Sequence, residues 1–217
     1  MTGVQTCALP IWSAVSARIA APAVGYVRVA ALGRDTADQL KANVDDVVKR
    51  GAAKVIVDVR RVSSGAIDDG LAMARLFVAK GTLAQRESKS GAHETIAASA
   101  GDGAITVPIV VLIDTGTSGA AEVFASALAG NNRAELIGEH TIGRAAAQKL
   151  VRLPDGAGLW LSTIRYLTPS GAPLNEKGLE PTVAVDESDA VEFGQPAPTT
   201  DPILDKAIER LTEKKAA

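Results

Sequence analysis

Aromatic side chains are scarce in this chain: Phe, Tyr and Trp together make up 3% of 217 residues. A packed interior must therefore be built from Ala, Val, Leu and Ile, which the 47% hydrophobic fraction supplies amply. Cysteine occurs once, at Cys7, so neither an intramolecular disulfide nor a multi-cysteine metal set is available. The two histidines, His93 and His140, lie far apart, and no His/Cys/Asp cluster has ligand spacing. Neither G-x-x-x-x-G-K-[ST] nor G-x-G-x-x-G occurs, so the sequence calls for no cofactor and no metal. Charge of one sign is not in excess either. With 23 Lys and Arg against 25 Asp and Glu, the net charge of −2 gives no electrostatic reason to expect nucleic acid or an anionic membrane as partner. No run of ~18 apolar residues is present to span a bilayer.

The first twelve residues stand apart. Residues 1–11 read like the translation of a common sequencing adapter from a GTG start, with the frame running into Trp12. They are left out of fold reasoning as a non-native segment, which removes Cys7 as well. Residues 13–23 are then expected to be the remnant of a preceding region. A truncated start also means that the lack of a signal peptide carries no information about compartment.

From residue 24 onward, strand and helix signals alternate. An apolar strand at 24–32 precedes Arg34, Asp35 and Thr36, which can open a helix to about Arg50, with Val44, Val47 and Val48 on one face and Gly51 at its end. Residues 54–59 are nearly all apolar between turn signals, which suits a buried parallel strand. A polar loop at 60–65 leads to a helix at 67–77, then a strand at 82–86. The polar, Gly/Ser/Ala-rich stretch 87–103 reads as a surface excursion. A second buried strand at 107–114 feeds a helix at 120–129, and short strands follow at 134–137, 148–153 and 158–164. Residues 192–200 form a Pro-containing linker. Asp201 and Pro202 open a final helix to about 215, with Ile203, Leu204, Ala207, Ile208 and Leu211 at helical spacing. This alternation predicts an α/β domain.

The most informative stretch is 116–148, GTSGAAEVFASALAGNNRAELIGEHTIGRAAAQ. It resembles the active-site segment of the C-terminal processing (tail-specific) serine peptidases, which runs G-S-A-S-A-S-E-[IV] into an alanine-rich helix, then G-R-A, G-E-x-T-F-G-K-G and a Gln. Glu122, Arg133, Ala134, Gly138, Glu139, Thr141, Gly143 and Gln148 fall in register without a gap. Further resemblances lie at 24–29, at the D-x-R strand ending Asp58, Val59 and Arg60, at 158–163, at Thr168, Pro169, Ser170 and Gly171, and at Gly178, Leu179, Glu180 and Pro181. Each is weak alone; five in order cover roughly residues 24–215. The resemblance implies the spiral ββα core of Clp-type peptidases and crotonases at 24–191, followed by a linker and C-terminal helix at 192–217. It implies polypeptide C-termini or unfolded proteins as partners and an extracytoplasmic or periplasmic setting. The PDZ-like tail-binding domain usual in the family is not found here, which a truncated start would explain.

The register puts unusual residues at the working positions. A Ser–Lys peptidase needs a hydroxyl at a helix start, a neutral amine to take its proton, and two N–H groups facing the developing oxyanion. By resemblance the nucleophile position is Gly119 and the general-base position is Arg144. Glycine has no nucleophile, and a guanidinium stays protonated in proteins. The Asp expected before G-R-A is Gly130. The loop that contributes one oxyanion donor in the family retains a single glycine, Gly65; the other donor is the N–H of Ala120. Gln148 matches a Gln near the dyad.

These residues predict a tail-specific peptidase-like domain whose catalysis has degenerated and whose cleft is kept for peptide binding. Two alternatives stay open. A one-residue slip could present Ser118 as nucleophile, with His140 as its base; against this, Ser118 or Thr117 would ordinarily cap the helix, and His140 would ordinarily sit solvated. A crotonase-like acyl-CoA enzyme is the third reading, opposed by the T-P-S-G and G-L-E-P signatures. Arg144 has two readings too: a grip for a carboxylate beside a helix N-terminus, or an ion pair with Glu122 or Glu139.

Overall fold

The strand–helix alternation resolves into two sheets. The computed structural model of the chain describes residues 13–186 and 200–213. The adapter-like segment 1–12 and nearly all of the predicted linker lie outside them.

The first sheet has six strands in the order β1-β2-β3-β6-β7-β10. They are β1 (Val15–Ala21), β2 (Val24–Val29), β3 (Lys54–Asp58), β6 (Ile109–Ile113), β7 (Ala134–Gly138) and β10 (Val183–Ala184). All neighbours run parallel except the antiparallel pair β1–β2. Helices α1 (Thr36–Lys49), α2 (Ile67–Arg75) and α3 (Ala120–Gly130) carry the crossovers, and α4 (Pro202–Glu213) closes the described chain.

The central strands are apolar throughout because both faces are covered. Val55 and Val57 of β3, with Ile109, Val111 and Ile113 of β6, join the cluster containing residues of α1, α2 and α3. Ile56, Val110, Leu112 and Ile137 point the other way, onto Ile203, Leu204, Ala207 and Leu211 of α4. The period of two in the strands thus assigns three helices to one face and the terminal helix to the other.

The second sheet, in the order β5-β4-β9-β8, is antiparallel throughout: β4 (Thr82–Ser88), β5 (His93–Ala97), β8 (Ala146–Arg152) and β9 (Gly158–Leu167). Three strands were not expected: the two-residue β10, which pairs parallel with β7, and two longer ones. Val15–Ala21 extends the first sheet beyond residue 24, its Val15, Ala17 and Ile19 alternating with Ser16 and Arg18 as a one-sided edge strand does. Within the predicted surface excursion, His93–Ala97 pairs with β4 although its side chains stay largely exposed, so its polar composition concealed a strand held by backbone bonds.

A buried ion network fixes α4. Asp58 accepts from Tyr26 Oη at 2.7 Å, Arg28 Nη1 at 2.7 Å and Arg60 Nη2 at 2.7 Å, with its side chain 1% exposed. Arg60 reaches on to Asp201 with two parallel bonds of 2.9 and 2.7 Å, and Asp201 Oδ1 accepts the Leu204 N–H at the start of α4. Burial and the Asp58 carboxylate push the Tyr26 phenol well above its ordinary range. Burial alone would raise the Asp201 carboxyl, but the bonds from Arg60 and from the Leu204 N–H outweigh it and hold the group below its ordinary value of 3.8. Because the folded value is the lower one, this anchor is fully present above 3.8 and is lost as pH falls through the folded value. The Asp201→Asn variant should lose about 1 kcal/mol at neutral pH, discounted for a half-open side chain. Urea midpoints of variant and parent should then converge as pH falls below the ordinary carboxyl range.

Candidate active site

The segment 114–122 turns from β6 into α3. Asp114, at the strand end, accepts the Arg61 N–H at 2.8 Å and the Gly116 N–H at 3.0 Å, and Thr117 Oγ1 donates to Val59 O and Asp114 Oδ1. The Ser118 N–H donates to Val62 O at 2.9 Å. These bonds dock the β6–α3 turn against the loop after β3. Thr117 is therefore spent inside the turn, and neither it nor Ser118 caps the helix.

The N-cap is Gly119, at φ +62° and ψ −116°, a backbone region that L side chains rarely adopt. Its N–H donates to Glu122 Oε2 at 2.9 Å, the half of a capping box that a glycine can form. A Cβ at this position would meet nothing closer than Arg144 O at 3.8 Å, so the site has room for a side chain that it does not carry.

Glu122 is the organising group of the site. It is fully buried, and its carboxylate accepts four hydrogen bonds: Thr141 Oγ1 at 2.6 Å, Gly143 N–H at 2.7 Å, Arg144 N–H at 2.8 Å and the Gly119 N–H. Thr141 Oγ1 in turn accepts the Leu179 N–H at 2.8 Å. The helix start, the 141–144 loop and the G-L-E-P turn are thus tied to one carboxylate. Short motifs that are weak in sequence meet here in space.

An open cleft of about 900 Å³ lies over this junction. Gly65, Ser118, Gly119, Ala120, Arg144 and Gln148, the six residues singled out from sequence, all line it. Ser63, Tyr166, Asn175 and Glu176 line it too and were not foreseen: Tyr166 lies in β9, and the other three are isolated polar residues outside strands and helices, which carry no periodic signal. Gly65 sits at φ +91°, and a Cβ there would lie 2.5 Å from Leu32 Cβ, so this position requires glycine. Ala120, the first helical residue, has no acceptor for its N–H among the described residues, as expected of a helix N1 position.

Arg144 corrects one expectation. Its side chain is exposed at the cleft and makes no ion pair among the described residues; Glu122 is occupied by other donors and bonds Arg144 only through its backbone N–H. His140 is no partner for Ser118. Its Nε2 donates to Lys177 O at 2.7 Å, so that nitrogen is protonated, and the ring lies outside the cleft lining. His93 is exposed beside Glu87 on the second sheet.

The family model for peptidase family S41 matches residues 23–185, which take in the β6–α3 turn, Glu122 and the 141–144 loop. The chain belongs to peptidase family S41. Among S41 relatives, it is 30% identical over 193 residues to the carboxyl-terminal-processing protease of Picosynechococcus sp., covering 89% of this chain and 46% of that protein. It is 32% identical over 167 residues to the carboxy-terminal processing protease CtpA of Bacillus subtilis, covering 76% and 36% respectively. The chain thus spans less than half the length of these relatives. In structure it resembles a photosystem II D1 C-terminal processing protease, with a TM-score of 0.72 and 30% identity over 80% of this chain and 48% of that one. A putative peptidase from Parabacteroides merdae, 19% identical with a TM-score of 0.75 over 91% of this chain and 64% of that one, shares the fold. The S41 assignment carries with it the Clp/crotonase-like α/β architecture expected from sequence. No helix among the described residues is long and apolar enough to cross a membrane.

Proposed function

We propose that this S41 domain binds extended polypeptide and does not cut it. The observation that supports this most directly is the contrast at the Glu122 junction: the scaffold bonds are complete, while the nucleophile position is Gly119 and the base position is Arg144. A guanidinium cannot accept a proton, and no hydroxyl stands at the helix N-cap. The unit to which we assign this function is the core predicted at residues 24–191, with β1 (Val15–Ala21) on its edge and α4 (Pro202–Glu213) on its outer face.

The second sheet supplies a surface for such a ligand. Gln148 lies opposite Ser162, and Leu150 lies opposite Trp160, so these four residues share one face of the β8–β9 hairpin. Gln148 and Ser162 line the cleft, and that face continues outward to Leu150 and Trp160, the latter 62% exposed. An apolar ledge leading from a polar cleft suits an unfolded chain with apolar side chains.

The test is calorimetric titration with a labelled, unfolded peptide bearing an apolar C-terminal tail, followed by mass spectrometry of the recovered peptide. Saturable binding with the peptide intact is expected, and Trp160→Ala should weaken it roughly tenfold, as truncation of an exposed aromatic anchor does. Cleavage by the unmodified chain would overturn the proposal. The specific alternative, an active peptidase using Ser118, has one supporting feature: Ser118 lines the cleft with its hydroxyl uncommitted.

A further inference from the structure

We propose that the β8–β9 ribbon carries a self-association surface, one of its two faces packing against the same face of a second copy of this chain. The contact uses the face turned away from Leu150 and Trp160, so it stands or falls independently of peptide binding.

The ribbon is an arm. β4 pairs with β9 only between Ile164 and Leu167, so from Gln148 to Ser162 the two strands pair with each other and with no third strand among the described residues. The Leu153 N–H donates to Ala157 O at 2.8 Å and closes the hairpin at the turn 154–156. A two-stranded ribbon on its own is marginal in water, because no layer covers its side chains. Its composition sharpens the problem. The large hydrophobic side chains exposed among the described residues are Val48, Ile142 and five from this arm: Leu150, Leu153, Leu159, Trp160 and Leu161. Register divides the five between two faces. Lys149 stands opposite Leu161, Leu150 opposite Trp160 and Val151 opposite Leu159, and the turn bond sets Leu153 opposite Ala157. Strand side chains alternate, so Val151, Leu153, Ala157, Leu159 and Leu161 share the face opposite to Leu150 and Trp160. Leu153, Leu159 and Leu161 are 39%, 45% and 43% exposed there. One face leads from the cleft; the other is the more apolar of the two and has nothing against it among the described residues.

The charges at the two ends of this apolar face select a second copy as its occupant. Lys149 lies at the end nearer the body of the protein, exposed and without an ion pair among the described residues. Asp155 lies at the other end, exposed in the turn, with Oδ1 accepting the Ala157 N–H at 3.0 Å. A two-fold axis through the Val151–Leu159 pair lays the apolar residues of one ribbon on those of the other. The same rotation brings each Lys149 to the partner's Asp155, cation to anion at both ends. A face complementary to itself in this way is what a closed two-fold contact requires. The contact would bury on the order of 600 Å² over both copies, below the roughly 1,200 Å² of a stable complex. Association is therefore weak and reversible, with a Kd on the order of 10–100 μM.

The experiment is sedimentation velocity of the full chain at low salt, from about 2 to about 200 μM, a range that brackets the expected Kd. The weight-average sedimentation coefficient should rise from the monomer value toward that of a dimer. Leu159→Glu should abolish the rise, and Trp160→Glu, one residue along on the other face, should leave it unchanged. Lys149→Glu sets like charges together and should weaken association at least about fivefold. All three side chains are exposed, so the variants should keep the far-UV spectrum of the parent. A chain that stays monomeric throughout would overturn the proposal, and so would a dimer that survives Leu159→Glu. Equal loss of the dimer on Trp160→Glu would overturn the assignment to one face. A dimer indifferent to Lys149→Glu would overturn the two-fold arrangement.

Discussion

The Gly119→Ser/Arg144→Lys double variant is expected to cleave unfolded substrates with apolar C-terminal tails, at a rate at least ~10²-fold above any background from the unmodified chain. The structure gives three reasons. A side chain at position 119 enters open space, with Arg144 O at 3.8 Å as the nearest atom to a Cβ. The backbone at position 144 is held to Glu122 through its own N–H, so Lys would replace Arg without moving the loop. The Ala120 N–H at the helix start remains available for an oxyanion. The cost is local: a non-glycine residue at φ +62° carries strain of about 1–3 kcal/mol, so the variant should melt lower than the parent. Each single variant should stay inactive, because a hydroxyl without a base and a base without a hydroxyl are equally idle. Release of peptide fragments, followed by chromatography, decides the matter. A double variant that folds, binds peptide and still does not cut would show that more than the two side chains is missing, with the loop around Gly65 the first place to look.

The second large effect concerns the junction itself. Glu122→Ala should destabilise the chain by about 3–5 kcal/mol. Four donors lose their acceptor together. Those of Gly119 and Arg144 border the cleft and can turn to water; Gly143 borders it too but is itself buried, and Thr141 is fully buried. Stranded buried donors cost about 1–3 kcal/mol each, and the cavity left by the side chain adds to this. Glu122→Gln should fall between, since an amide keeps one accepting oxygen and sets its NH₂ against the donors on the other side. Thr141→Val, which removes one donor to Glu122 and the acceptor for Leu179, should cost about 2 kcal/mol. Urea denaturation of the three variants gives the ranking. If Glu122→Ala costs no more than a surface substitution, the carboxylate does not hold the loops as described.

Much of this was legible from residue order. The buried strands at 54–58 and 109–113 announced themselves as apolar runs, and α1 by Val44 and Val47 on one face, although Val48, placed with them, is 42% exposed one position round the helix. The six candidate residues were named by register with a family motif, and all six line one cleft, which places them together without assigning their roles. What sequence could not give was connectivity. Glu122 reads locally as a capping-box residue; its bonds to Thr141, Gly143 and Arg144 span 19 to 22 positions and exist only once β7 lies beside β6. For the same reason Arg144 was open to pairing with Glu122, whose lone pairs prove to be taken. Strand β5 escaped notice because it buries almost nothing, and a strand held by backbone bonds alone leaves no apolar alternation to read. The link from Arg60 to Asp201, which joins the Asp58 network to α4, crosses 141 positions and could not be inferred from either end.

The most direct measurement is labelling of the unmodified chain and of the double variant with a fluorophosphonate probe, followed by mass spectrometry of the peptides spanning residues 114–133. A Ser–Lys scaffold that lacks only its dyad predicts no adduct on the unmodified chain and a single adduct at position 119 of the double variant. An adduct at Ser118 of the unmodified chain would contradict the account, because it would show an activated nucleophile one residue before the helix cap.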